Sequence, residues 1–187
     1  MNRRATVAVI GSGTEAHELL SHAVGRLLAS RDVNLLTGGG RGVMREVARA
    51  FVTSPGRRGI SIGVIPCASE AQRATPVPGY PNPFVELPIR THLPYSGRLG
   101  THDLSRNHIN VLSAAAVIAL PGAAGTESEV QLALRYDRPV IVFSPDPELV
   151  QHFPAAAPRA TAIDAVAAFL DGCLERGAAQ PAHGESE

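Results

Sequence analysis

Short apolar runs, closed by glycine and separated by amphipathic stretches, organise the front of the chain. Residues 5–10 (ATVAVI) are β-branched and apolar without alternation, as in a strand covered on both faces, and they end at Gly11-Ser12-Gly13. Leu19, Leu20, Ala23, Val24, Leu27 and Leu28 then recur at three and four residues, which predicts an amphipathic helix over 15–30 with these side chains inward. A second strand at 33–37 ends at Gly38-Gly39-Gly40. A helix over 42–53 follows, with Val43, Val47, Ala48 and Phe51 on one side, and then a third strand at 59–66. Farther on, the spacing predicts helix at 103–115, strand at 116–120, helix at 126–136 and strand at 139–144. A closing helix at 162–176 has Ile163, Val166, Phe169, Leu170 and Cys173 on its inner face. Alternation of this kind indicates an α/β domain: a doubly wound, Rossmann-like parallel sheet flanked by helices on both faces.

Between the halves the rhythm breaks. Seven of the 15 prolines fall between Pro66 and Pro94, and those at 76, 78, 81 and 83 keep the backbone out of helix. A strand over 84–90 would have to be short or at an edge, because Pro88 lacks a ladder donor. Residues 67–101 therefore read as a long loop over the site, long loops in compact domains being mostly functional or disordered. The whole of 1–177 reads as one domain, in keeping with roughly 100–200 residues per domain. The polar stretch 178–187 (AAQPAHGESE) reads as a flexible tail.

Composition narrows the chemistry. All 17 basic residues are arginine. The missing lysine excludes pyridoxal-phosphate Schiff-base chemistry and a lysine-based P-loop. Zero net charge without a basic run argues against nucleic acid or an anionic membrane surface as partner. Cys67 and Cys173 are too few for a disulfide framework and read as small apolar residues. The seven histidines lack metal spacing, so no metal and no resident cofactor are expected. No apolar run nears the ~20 residues of a membrane span. The start of the chain is also too short in apolar residues for a signal peptide. The cytoplasm is the expected location.

Three glycine-rich turns follow predicted strands and so gather at the carboxyl edge of a parallel sheet, where doubly wound folds bind ligands. Gly11, Ser12 and Gly13 open a G-x-G-x-x-A turn. Strand two ends in Leu35-Leu36-Thr37 without the carboxylate that would hold an NAD ribose, so a dinucleotide is disfavoured. A turn needing glycine only for its shape is the plain alternative. Gly38, Gly39, Gly40 and Gly42 form the second turn, whose amides would open a helix and attract anions; Arg41 there is either a ligand contact or a surface residue. The third, Pro121, Gly122, Ala123, Gly125 and Thr126, has the shape of a phosphate cradle. Thr126 and Glu129 fit the capping box S/T-x-x-E, and spacing alone favours a capping role for Glu129 over a chemical one. Arg106 and Asn110 share a helix face. By itself Arg106 would be an ordinary solvated residue.

Together, GGGRGVM at 38–44, Arg106 and PGAAGTESE at 121–129 resemble the Lonely Guy family of cytokinin-activating phosphoribohydrolases. The family patterns are GGG-x-x-G-[LV]-M and PGG-x-GT-x-x-E, with an arginine 15 residues before the PGG proline; Pro121 minus 15 is Arg106. The resemblance implies hydrolysis of the N-glycosidic bond of a nucleoside 5′-monophosphate to free base and ribose 5-phosphate. Arg106 and Glu129 would form the catalytic pair, and the glycine turns, with Met44 and Asn107, would bind substrate and phosphate. A fixed carboxylate stabilises the oxocarbenium-like sugar left when a base departs. The resemblance further implies a homodimer or larger homo-oligomer; Leu132 and Leu134 would serve such an interface or the core. Asn107 replaces a lysine of the Lonely Guy pattern, and Ala123 replaces its second PGG glycine. With AVIGSG, LLTGGGRGVM and SIGVIP, these departures resemble the sister branch of molybdenum-cofactor carrier proteins. That likeness implies the alternative, a non-catalytic carrier for a phosphorylated ligand such as molybdenum cofactor or a nucleotide.

Overall fold

The computed structural model describes residues 4–179. Strands β1 (Ala5–Ile10), β2 (Val33–Thr37), β3 (Ser61–Ile65), β4 (Leu87–Arg90), β5 (Ala116–Ala119), β6 (Val140–Phe143) and β7 (Arg159–Ala160) form one sheet in the order β4-β3-β2-β1-β5-β6-β7. Every pairing is parallel. Helices α1 (Glu18–Ala29), α2 (Val43–Thr53) and α5 (Ile163–Ala179) pack on one face, and α3 (Asn107–Leu112) and α4 (Ala124–Arg135) on the other. Successive side chains of a strand point to opposite faces. In β1, Val7 and Val9 accordingly join the α1–α2–α5 core, and Ala8 and Ile10 join the α3–α4 core. Both faces are covered, and this is why the strands are apolar without alternation. Leu132 is fully buried in the second core, and the half-buried Leu134 packs against it. Cys67 and Cys173 are free and buried.

The chain winds outward from β1 to β4 and then returns to the other side of β1 as β5. The loops after β1 and β5 thus leave adjacent strands in opposite directions, and a crevice opens between them.

Helix ends depart from the sequence expectation for local reasons. The Ser12 hydroxyl accepts from the amides of Thr14 and Glu15 at 3.2 and 2.9 Å, closing a turn, and α1 begins only at Glu18. Leu19, expected inward, is 87% exposed. The buried stripe of α1 runs through Val24 and Leu28, and nine residues at 3.6 per turn put Leu19 on the side opposite Leu28. The helix expected over 103–115 is confined to α3, six residues long. Strand β4 pairs with β3 at the sheet edge, with Pro88 opposite Gly63, where a missing N–H faces no neighbour. The two-residue β7 was not anticipated, since a pair of residues carries no periodicity. Most of the tail expected at 178–187 lies outside the described residues, and α5 runs on to Ala179.

The rest of the proline-rich segment is irregular but pinned. Asn82 is buried; its backbone amide donates to the Gly39 carbonyl at 2.8 Å and its Nδ2 to the Gly40 carbonyl at 2.8 Å, while its Oδ1 accepts from the Phe84 amide at 3.0 Å. Asn82→Ala strips the Gly40 carbonyl of its side-chain donor. The expected loss is about 1–3 kcal/mol, read from urea unfolding. Limited proteolysis of this variant is expected to cut within 67–101 at protease levels that leave the parent intact.

Candidate functional site

The crevice between the β1 and β5 loops is a cavity of about 280 Å³. Two hydrogen bonds fix its rim: the Ser12 amide donates to the Pro121 carbonyl at 3.0 Å, and the Val43 amide to the Ser12 carbonyl at 2.9 Å. The second bond ties the second glycine turn to the first. The Val43 amide, first of α2, is taken by the Ser12 carbonyl, while the Met44 and Arg45 amides have no hydrogen-bond partner among the described residues.

The third turn behaves differently. Ala123 is the N-cap of α4, without a side-chain cap, and the Thr126 and Glu127 amides fold back onto the Ala123 carbonyl at 2.9 and 3.1 Å. The amides of Ala124 and Gly125 have no hydrogen-bond partner among the described residues, and Gly125 lines the cavity. Free amides at a helix N-terminus with the positive end of its dipole favour an anion.

Arg106, at the N-cap of α3, is 5% exposed rather than solvated. Its guanidinium lies across Gly38, where a Cβ would collide with it, so close approach requires glycine at that position. Its Nε and Nη1 are buried without a hydrogen-bond partner. A buried cation left unpaired in this way is costly.

Glu129 is buried too, and its Oε1 accepts from Asn110 Nδ2 at 2.8 Å. Because α4 starts at Ala124, Thr126 is already helical and Glu129 faces α3, which overturns the capping-box reading. Burial pushes the Glu129 carboxyl above the usual carboxylate range, against the downward pull of the Arg106 charge and the Asn110 hydrogen bond. Asn107 Nδ2 donates to Ser128 Oγ at 3.2 Å, and Ser128 Oγ donates to the Gly125 carbonyl at 2.7 Å, which ties α3 to α4 at the cleft.

Of the residues singled out from sequence, Gly11, Ser12, Gly13, Gly38, Met44, Arg106, Asn107, Ala123, Gly125, Thr126 and Glu129 line the cavity. Gly39, Gly40, Gly42, Pro121 and Gly122 stand behind it and shape its turns. Arg41 is exposed beside Gly79 and does not line it. Sequence reasoning did not single out Tyr80, Ser96 and Gly97, which reach the cavity from the proline-rich segment, nor Gly100, packed against Asn107 and Ser128. The only signal for them was the unusual length of that loop. No group of His, Cys, Asp or Glu that could hold a metal occurs among the described residues. No helix among them is long and apolar enough to cross a membrane.

The sequence pattern of the SLOG cluster4 family matches residues 4–168. No curated protein matches the sequence. The molybdenum cofactor binding protein of the phototrophic bacterium Rippkaea orientalis is similar at 26% identity and a TM-score of 0.70, over 93% of this chain and 99% of that one. The Moco carrier protein of Chlamydomonas reinhardtii is similar at 26% identity and a TM-score of 0.68, over 93% and 99%. DNA processing protein A of Helicobacter pylori, at 18% identity and a TM-score of 0.60 over 90% and 80%, shares the fold.

The raised Glu129 value has a measurable sign. The folded state holds this proton to higher pH than the unfolded chain, whose glutamates titrate near about 4.3. The stabilisation is present in full below that pH and is lost as pH rises through the folded value. Glu129→Gln cannot ionise and keeps it. Its melting temperature relative to the parent is therefore expected to climb as pH rises above about 4. A pH-independent difference would contradict a carboxyl destabilised by burial.

Proposed function

The chain belongs to the SLOG cluster4 family, and from that premise we propose that its cleft binds a small phosphorylated ligand of the nucleotide or pterin class, as a carrier or sensor does. One observation carries this reading: the buried Arg106 guanidinium, with two nitrogens lacking partners, lines the same cavity as Gly125, whose amide is free. A planar guanidinium fits the edge of a phosphate group, and charge-assisted bonds of this kind contribute about 1.5–3 kcal/mol each. The two similar molybdenum cofactor proteins support a ligand in which phosphate is joined to a pterin.

Glu129 in the same cleft favours a second reading, hydrolysis of the N-glycosidic bond of a nucleoside 5′-monophosphate. The carrier reading stands first for an electrostatic reason. Phosphate on Arg106 would offset the positive charge that draws the Glu129 value down, so that burial raises the carboxyl further. A raised carboxyl is a better proton donor to a departing base and a poorer anionic support for an oxocarbenium-like sugar.

Incubation with a panel of nucleoside 5′-monophosphates and a monophosphorylated pterin separates the readings. The carrier reading expects a ligand-dependent rise in melting temperature with no free base on chromatography, and loss of the rise in Arg106→Ala. Free base above an Glu129→Ala control, with a drop of about 10²–10⁴ in that variant, establishes the hydrolase instead. Absence of both stabilisation and product across the panel refutes phosphate binding. Affinity is also expected to weaken as pH rises through the titration of Glu129, more steeply in the parent than in Glu129→Gln.

A further inference from the structure

The proline-rich segment delivers one aromatic side chain to the cleft. Among the cavity-lining residues Tyr80 is the only aromatic. The other two tyrosines are engaged elsewhere: Tyr95 packs edge-on against His102 and its hydroxyl donates to Glu70, and the Tyr136 hydroxyl pairs with His108 Nδ1 at 2.7 Å. The Tyr80 hydroxyl has no protein partner among the described residues, and its ring is half-buried.

Its position follows from the second glycine turn. A Cβ at Gly40 would fall 2.5 Å from the Tyr80 hydroxyl oxygen and 2.8 Å from the Met44 methyl carbon. Glycine at 40 thus lets Tyr80 and Met44 converge over the backbone. Two residues earlier, the same turn carries the Arg106 guanidinium across Gly38. One short stretch of main chain therefore presents a cation at one end and an aromatic–thioether pair at the other. The pair is held from outside: Asn82, two residues beyond Tyr80, is bonded to both the Gly39 and Gly40 carbonyls.

We propose that Tyr80, backed by Met44, is the specificity-determining residue of the cleft, selecting ligands that join a flat heteroaromatic ring to the phosphate over phosphates that lack a ring. Aromatic faces stack on any flat base, and thioether sulfur packs favourably at ring edges. This rests on the phosphate reading given above and adds the ring requirement to it.

Calorimetric titration of the full chain tests it with five probes: adenosine 5′-monophosphate, guanosine 5′-monophosphate, a monophosphorylated pterin, ribose 5-phosphate and inorganic phosphate. The parent is expected to bind at least one ring-bearing probe more tightly than the ring-less two. Tyr80→Ala is expected to weaken that ring-bearing probe by about 5- to 150-fold and leave ribose 5-phosphate unchanged, which also shows that the variant is folded. Tyr80→Phe keeps the ring and is expected to bind like the parent. An unchanged preference in Tyr80→Ala overturns the proposal. So does Tyr80→Phe behaving like Tyr80→Ala, which would assign the effect to the hydroxyl, and so does loss of ribose 5-phosphate binding in Tyr80→Ala, which would make Tyr80 a support for the loop. If the parent binds none of the five, or Arg106→Ala binds all of them like the parent, the phosphate reading itself fails and the ring proposal falls with it.

Discussion

A guanidinium buried with two nitrogens lacking partners is the constraint around which the cleft is organised. Arg106 sits at the N-cap of a short helix, and its guanidinium lies against Gly38, where a Cβ would collide with it. Its desolvation is uncompensated by any hydrogen bond to Nε or Nη1, and proteins retain such groups mainly where something else completes them. Glu129 shares the cleft and feels the Arg106 charge, yet burial outweighs that charge and raises the carboxyl. The two groups are thus electrostatically coupled, and any anion on the arginine also acts on the proton of the glutamate.

The sheet supplies the place for this pair. The strand order reverses beside β1, so the loops following β1 and β5 part company and leave a crevice at the carboxyl edge. Two helix N-termini meet that edge and are used differently. The start of α2 gives its Val43 amide to the Ser12 carbonyl, which stiffens the rim. The start of α4, two of whose amides fold onto the Ala123 carbonyl, leaves the Ala124 and Gly125 amides free. The two glycine-rich turns, alike in sequence, are thus tied down by different bonds.

The proline-rich segment closes the third side. Prolines keep its middle out of helix; its regular structure is two single 3₁₀ turns, Glu70–Gln72 and Gly97–Leu99, and a four-residue strand at the sheet edge. Two hydrogen bonds from Asn82 to the Gly39 and Gly40 carbonyls nonetheless fix it against the second glycine turn, and this places Tyr80 next to Met44. A segment with little regular structure thereby contributes a side chain to the cleft.

The fold was legible because continuous apolar runs at 5–10 and 33–37, each closed by glycine, allow little but strands buried on both faces. The glycine turns and the spacing from Arg106 to Pro121 likewise marked the edge where the cleft lies. Local pattern failed where geometry depends on contacts between distant residues. The Thr126–Glu129 spacing is that of a cap, but α4 starts two residues earlier and turns Glu129 toward Asn110. Leu19 fits an inward periodicity that the packing of α1 against α2 rotates away from it. Arg106 reads as a solvated helix residue, and Tyr80 as one position in a loop, until the turn at 38–40 brings both to the same short stretch of backbone. Periodicity reports which surfaces seek burial, whereas the ionisation of a carboxyl and the company of an arginine depend on which groups from remote parts of the chain displace their water.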